Sequence, residues 1–416
     1  MVLSNSPSLP LEVLRLVLDS FKDSRDFAPF RKLELGRNVA LTGRAVRDLG
    51  TSLVWSTIEQ RVGVEEGQLR HLLKHERVAS FVRVLVVSMN PSGTSATLSE
   101  EEYRRILPSL PSLRHLELVN LPRELFDCFL HPANPALPLA TTLRCIKIYQ
   151  SDQIPPDNEH PPTMLALLTK IRTLKSVDLS FRIPGDTEEQ DLAAIRSVDL
   201  DPLRLDQLRI ELRRGSPRRN SALLNAILDR FVVPEDLVSL RIRCVAGLSD
   251  ETWVRPFPRL ETFLVEFAFA TFANHLPAFA ASIPKQPRLR ALYLRVVESP
   301  LSRHKTARTA TAPKRILHRF LDSLPDSLER LELAITFPGG ALEDPLHAFL
   351  EKRKSMPLEA VCVVVRTEGE TEDEMEYRGV AWITKERLSP EDGGQGRVRW
   401  KVTVSPRAPR NGPHVE

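Results

Sequence analysis

A six-residue leucine pattern, L-x-x-L-x-L with conservative exchanges, returns about every 30 residues between residues 81 and 363. Its copies are Leu113-Leu116-Leu118, Leu143-Ile146-Ile148, Leu174-Val177-Leu179, Leu205-Leu208-Ile210, Leu237-Leu240-Ile242, Leu260-Phe263-Val265, Leu289-Leu292-Leu294 and Leu328-Leu331-Leu333. Looser copies flank them, Phe81-Val84-Val86 before and Leu358-Val361-Val363 after. Such a recurrence marks stacked supersecondary units, none of which buries its apolar face alone. A stack grows by addition, so a 416-residue chain need not fit around one core. It favours a binding surface over an active site.

Within each copy a leading anchor is followed by a short apolar alternation, the mark of a brief strand with one face turned to a core. Several strands are preceded by apolar residues at helical spacing: Met164, Leu165, Leu167, Leu168 and Ile171; Leu223, Leu224, Ile227, Leu228 and Phe231; Ile316, Leu317, Phe320, Leu321 and Leu324. Thr163 and Ser221 are expected as N-caps. The unit is thus helix, loop, strand, loop, and the fold class is α/β. Stacking lines the strands into a parallel inner sheet with the helices outside. This arrangement resembles the leucine-rich-repeat family in its longer α/β form, which implies a horseshoe-shaped solenoid over residues 61–365. Where that family often places an asparagine or cysteine after the strand, this chain has Leu121 and Val245, so irregular loops are expected.

The spacing from Leu289 to Leu328 is long, and the extra length, Ser302 to Thr311, is basic and without apolar periodicity, as in a protruding loop. After the last repeat comes a carboxylate-rich run, Glu368 to Glu376, expected as a solvated loop. Two β segments follow, Gly379 to Ile383 and Gly396 to Val404, on either side of the turn-prone Asp392-Gly393-Gly394. A hairpin within 366–405 is expected to cap the open edge of the last unit, and the tail 406–416 lacks any core-forming pattern.

Residues 1–60 read as a separate helical module. Leu11, Leu14 and Leu18 fall on one helix face, with Ser8 placed to cap it and Pro10 in the first turn. A second helix runs through Val39 to Leu49, and the segment closes on Leu53-Val54-Trp55. The Leu-Pro-x-Glu opening and the closing tryptophan resemble an F-box. That resemblance implies docking on the Skp adaptor and, through it, on a cullin-based ubiquitin ligase, with the repeats selecting the protein to be ubiquitinated. The positions that match are Leu9, Pro10, Glu12, Val13, Leu14, Val17 and Leu18 in the opening and Trp55 at the close. An intramolecular alternative stays open: the same helices cap the first repeat, with Leu14, Leu18 and Trp55 turned inward.

Side chains between the core positions of each strand face the other side of the sheet. They supply Lys147, Tyr149, Arg209, Arg241, Arg243, Tyr293 and Arg295 as candidate target contacts, with Asp178, Glu211 and Leu264 among them. Arginine and tyrosine suit interfaces because they join contact area to hydrogen bonding, although Glu211 and Glu266 are placed to neutralise neighbouring arginines. Lys plus Arg number 58 and Asp plus Glu 54, too even a balance for a nucleic-acid partner. The 4 cysteines have no metal-ligand spacing, His71 and His75 lack a third ligand nearby, and no phosphate loop, nucleophile elbow or helical zinc pair is present. The expectation is a non-enzyme without metal, cofactor or membrane span, placed in the cytoplasm or nucleus, with an unknown target protein as partner. A repeat scaffold unrelated to ubiquitin is the competing expectation.

Overall fold

In a computed structural model the described residues are 35, 37–38, 50–62, 67–89, 98–121, 142–149, 161–182, 201–213, 217–244, 256–268, 280–297, 314–334, 343–367, 376–387 and 398–405. They belong to two compact units, Met1–Leu179 and Ser180–Glu416. The first contains strand β1 (Thr57–Val62), helices α1 (Gly67–Lys74) and α2 (Glu76–Ala79), β2 (Val84–Met89), α3 (Glu100–Ile106), β3 (His115–Val119), β4 (Cys145–Tyr149), α4 (Pro161–Thr169) and the start of β5 (Ser176–Arg182). Strands β1 to β5 pair in chain order and all in parallel. Ile58, Leu85, Leu116, Ile146 and Val177 share one level of the register and are all buried, as are Val87, Leu118, Ile148 and Leu179 on the next.

The second unit contains β6 (Gln207–Arg213), α5 (Pro217–Arg230), β7 (Ser239–Cys244), β8 (Thr262–Ala268), β9 (Ala291–Val297), α6 (Lys314–Ser323), β10 (Arg330–Ala334), α7 (Glu343–Lys352), β11 (Ala360–Thr367), β12 (Glu376–Arg387) and β13 (Val398–Ser405). Strands β6 to β11 are again parallel and in chain order. β12 turns back antiparallel on β11, and β13 on β12. Leu208, Leu240, Phe263, Leu292, Leu331 and Val361 form the matching buried level. On α6 the buried residues are Leu317, Phe320 and Leu321, followed by Leu324 one turn on, so the face at helical spacing is the one packed inward. The fold is mixed α/β, built of stacked repeats.

Each rung is tied to the next at the strand entrance. The residue after the leading anchor offers its carbonyl to two successive N–H groups of the following repeat: Arg114 and His115 donate to Arg83 at 2.8 and 3.0 Å, Arg144 and Cys145 to Arg114 at 2.8 and 2.9 Å, and Lys175 and Ser176 to Arg144 at 2.7 and 3.0 Å. In the second unit Asp206, Val238, Glu261, Arg290 and Glu329 accept in the same way. A hydroxyl stitch runs beside this ladder. The residue just before the anchor leucine donates to the carbonyl of the previous anchor: Thr142 to Leu113 at 2.9 Å, Thr173 to Leu143 at 2.7 Å and Ser327 to Leu289 at 2.8 Å. These bonds satisfy backbone groups that would otherwise be stranded between units.

Three expectations need adjustment. The early copy lies one residue later than Phe81-Val84-Val86: the buried residues are Val82, Leu85 and Val87, paired with the level of Leu116 and Leu118. The run Val84-Leu85-Val86-Val87 is apolar on both faces, so alternation alone does not choose its register, and a slip of one residue exchanges the faces. Thr163 and Ser221 lie inside their helices, which begin at Pro161 and Pro217. Proline, with its fixed φ and no N–H to leave unsatisfied, opens a helix where a hydroxyl cap was expected. The sheet starts at Thr57, across the module boundary drawn at residue 60. The expected loop at 302–311, the turn at 392–394 and the tail 406–416 lie outside the described residues. Among the described residues no helix is long and apolar enough to cross a membrane.

Candidate functional site

The register brings the side chains between core positions into two rows on the sheet face of the second unit. One row reads Arg209, Arg241, Leu264, Tyr293 and Glu332, and the next reads Glu211, Arg243, Glu266 and Arg295. Arg213, two residues beyond Glu211 on β6, extends the cluster. Opposite charges therefore alternate along the second row at strand spacing, the arrangement that favours cross-strand pairing.

Ion pairs lace the rows together. Arg213 Nε donates to Glu211 at 2.9 Å, and Arg243 reaches the same oxygen at 3.4 Å. Glu266 is held by Arg241 Nη2 at 2.8 Å, with Arg243 at 3.7 Å and Arg295 at 3.9 Å. Arg295 forks onto Glu332 with bonds of 2.7 and 2.9 Å, and its guanidinium lies over the Tyr293 ring at 5.6 Å. The layering is consistent: side-chain exposure is 4% for Glu211, 9% for Glu266 and 13% for Glu332, against 34% for Arg241 and 32% for Arg243. Carboxylates form a floor, and guanidinium groups lie over it.

Five arginines, Arg209, Arg213, Arg241, Arg243 and Arg295, meet three glutamates in this cluster, so the face keeps a positive surplus. Burial lowers the Arg241 guanidinium below its ordinary pKa; Glu266 opposes that effect, and Arg209 and Arg295 add to it. For Arg295 burial works the same way, but the fork onto Glu332 outweighs it and holds the group above its ordinary value. Arg241 Nε has no hydrogen-bond acceptor among the described residues. Cys362, beside this cluster on β11, has its thiol pushed up to about 12, first by burial and then by Glu332, with Arg295 opposing. It is a packed residue rather than a nucleophile.

Lys147 and Tyr149 lie in the first unit, on β4. Lys147 pairs with Glu117 at 3.2 Å, His115 Nε2 lies 3.5 Å from the same carboxylate, and the Tyr149 hydroxyl donates to Asp178 at 2.5 Å. Burial would raise the Glu117 carboxyl, but His115 and Lys147 hold it below its ordinary pKa. The candidate target residues thus form two separate groups, Lys147 and Tyr149 in one unit and Arg209, Arg241, Arg243, Tyr293 and Arg295 in the other. Tyr293 and Leu264, expected on an open face, are buried at 6% and 4% exposure. Arg213, Glu332, Glu117 and His115 take part without having been singled out. The period-2 alternation already placed each of them on the same strand face as the named residues of its own unit, but not which carboxylate lies beneath which cation.

Of the residues matched to the docking motif, Leu9, Pro10, Glu12, Val13, Leu14, Val17 and Leu18 lie outside the described residues. Trp55 is half-buried, two residues before β1, where Val82 and Leu113 stand two residues before β2 and β3. Its ring stacks on His71 at 5.1 Å and 14°, and His71 in turn lies 4.1 Å from His75. Among the described residues no group of three potential ligands gathers to hold a metal.

No protein-family model and no curated protein matches this chain. Among solved structures it is similar to a chain of the yeast Rad7 and Elc1 complex, at 15% identity and a TM-score of 0.37, over 78% of this chain and 76% of that one. A likeness of this degree carries no functional argument.

Proposed function

We propose that the chain is a non-catalytic recruiting subunit of a ubiquitin ligase. Residues 1–60 dock the Skp adaptor, and through it the cullin, with Leu9, Pro10, Val13, Leu14, Val17 and Leu18 as the apolar grip, Glu12 as its one charged member and Trp55 at its close. Residues 61–365 hold a target protein, and the segment 366–405 seals the end of the repeats. The observation that carries this reading is the direct junction of motif and sheet. Trp55 ends the motif, and the carbonyl of the very next residue, Ser56, accepts from Arg83 and Val84 at 2.9 and 3.0 Å as the first rung of the ladder. Joining the close of the motif directly to the first strand keeps ligase and target on one chain, which raises the effective concentration of target lysines near the charged conjugating enzyme.

The face of the second unit is the target site favoured here. Its guanidinium groups are held in place by glutamates from below, so little side-chain freedom is lost when a partner arrives. Arg241, Arg243 and Arg295 combine partial exposure with charge, the composition expected of an anchor. Lys147 and Tyr149 form a second contact group.

One observation favours a different reading. Trp55 occupies the leading-anchor position and stacks on His71, as a residue would in a module that merely caps the first repeat. A pull-down of the full chain with purified Skp adaptor separates the two. Capture that is lost in the variant Leu9→Ala, Leu14→Ala, Leu18→Ala, with the circular dichroism spectrum unchanged, supports docking. Undiminished capture by that variant, or no capture by the wild type, supports the cap.

A further inference from the structure

The second unit holds a cleft on the side of its sheet away from the arginine face, and neither the charged rows nor the docking motif uses it. Leu240 and Ile242 of β7, which alternate with Arg241 and Arg243, form its floor together with Phe257 and Phe263, and all four are buried. One wall is the last turns of α5, with Asn225, Leu228 and Asp229; the other is Ser282 and Gln286. About 430 Å³ of space lies between them, mouth included, which is the scale of a small-ligand pocket.

The sequence accounts for the gap. The interval from Leu237 to Leu260 is the shortest between successive anchors of the second unit, so this repeat has the least chain to give to the layer outside the sheet. The space beside α5 is therefore closed on its far side by residues of the next repeat. Gln286 Oε1 accepts from the Phe257 N–H at 2.8 Å, which ties that wall to the floor before any ligand arrives.

Polarity is graded from floor to rim. The floor is apolar, whereas Asp229 is exposed and Asn225 half-buried. Both lie toward the C-terminal end of α5, where the dipole of a 14-residue helix places its negative pole. No lysine or arginine lines the cleft; Arg230, next in sequence to Asp229, is not among its lining residues. A carboxylate accepts several hydrogen bonds, so Asp229 can take a further donor beside those it already has. The matching occupant has an apolar body inside and a cation at the rim.

We propose that this cleft receives the free N-terminus of a partner protein that begins with an aliphatic residue. The α-carbon of such a residue carries both groups, so its side chain reaches the floor while its ammonium stays with Asp229 and Asn225. A lysine side chain has the reverse order, its charge leading into the apolar floor. A free amino acid would set its own carboxylate beside Asp229 and the end of α5. The site is separate from the arginine face and independent of the ligase reading.

The test is fluorescence anisotropy of a Leu-Gly-Gly-Ser peptide, labelled at its C-terminus, with the full-length chain. Saturable binding is expected. N-acetylation of the peptide, which removes the ammonium, should weaken it at least about tenfold, and Asp229→Asn at least about fivefold with an unchanged melting temperature. Free leucine should fail to compete at concentrations where the unlabelled peptide does. The proposal is overturned by absence of binding to the wild type, by equal affinity for the acetylated peptide, by undiminished binding to the folded Asp229→Asn variant, or by competition from leucine as strong as that from the peptide.

Discussion

Glu266→Gln tests whether the arginine face depends on its acidic floor. The substitution keeps the shape of the side chain and removes the charge that Arg241, Arg243 and Arg295 approach at 2.8, 3.7 and 3.9 Å. At an effective dielectric near 20, one pair of unit charges about 4 Å apart is worth roughly 4 kcal/mol. Three such pairs overstate the loss, because glutamine also escapes the cost of burying a carboxylate and the arginines are partly solvated. A net destabilisation of about 3 kcal/mol is expected, the scale on which one partner of a buried pair is missed. Urea unfolding followed by far-ultraviolet circular dichroism measures it. Adding Arg241→Met should restore at least about 1 kcal/mol, since a guanidinium left beside Arg209 and Arg295 is then removed. A loss below about 1 kcal/mol for Glu266→Gln, or no recovery in the double variant, would show that the floor does not hold the arginines.

Two further outcomes follow from buried charge. Arg353 is 2% exposed and donates to the carbonyls of Leu324 at 2.5 Å and Pro325 at 2.8 Å just past α6, so Arg353→Ala should cost about 3 kcal/mol and Arg353→Lys less. Trp400 fluorescence reports on this region, because its indole donates to Leu350 at 3.0 Å; an unchanged urea midpoint for the alanine variant would contradict the assignment. Glu117 is held below its ordinary pKa in the folded chain, so its stabilisation is complete above the unfolded carboxylate value and disappears as pH falls through the folded one. Acid titration of Glu117→Gln should therefore show a flatter stability loss than the wild type, and identical acid limbs would refute the pairing with His115 and Lys147.

The repeat was legible because its apolar residues recur at fixed offsets: Leu113, Leu116 and Leu118 are all buried, and the same holds for Leu205, Leu208 and Ile210. The register of β2 was not, since Val84 to Val87 offers an apolar residue to either face, and the bonds from Arg83 and Val84 to the Ser56 carbonyl and from Arg114 and His115 to the Arg83 carbonyl choose between them. Helix starts were misplaced because prolines and hydroxyl residues both mark first turns. On the candidate face, alternation placed Arg241, Arg243 and Arg295 together, but which partner lies beneath which depends on neighbouring strands about 30 residues away in sequence. The exchange of Thr142, Thr173 and Ser327 hydroxyls with the preceding rung left no trace in an apolar pattern, because it is a bond between a polar side chain and a backbone atom.

The reversal of direction at β12 and β13 bears on how such a chain can change length over generations. A duplicated repeat added after β11 would have to dislodge an antiparallel pair that already occupies that flank. One spliced between two parallel rungs meets, on both sides, the same donors and acceptors as its neighbours. Gains and losses of whole repeats in kindred sequences should therefore accumulate in the interior of the array, leaving its final strands as a fixed terminus.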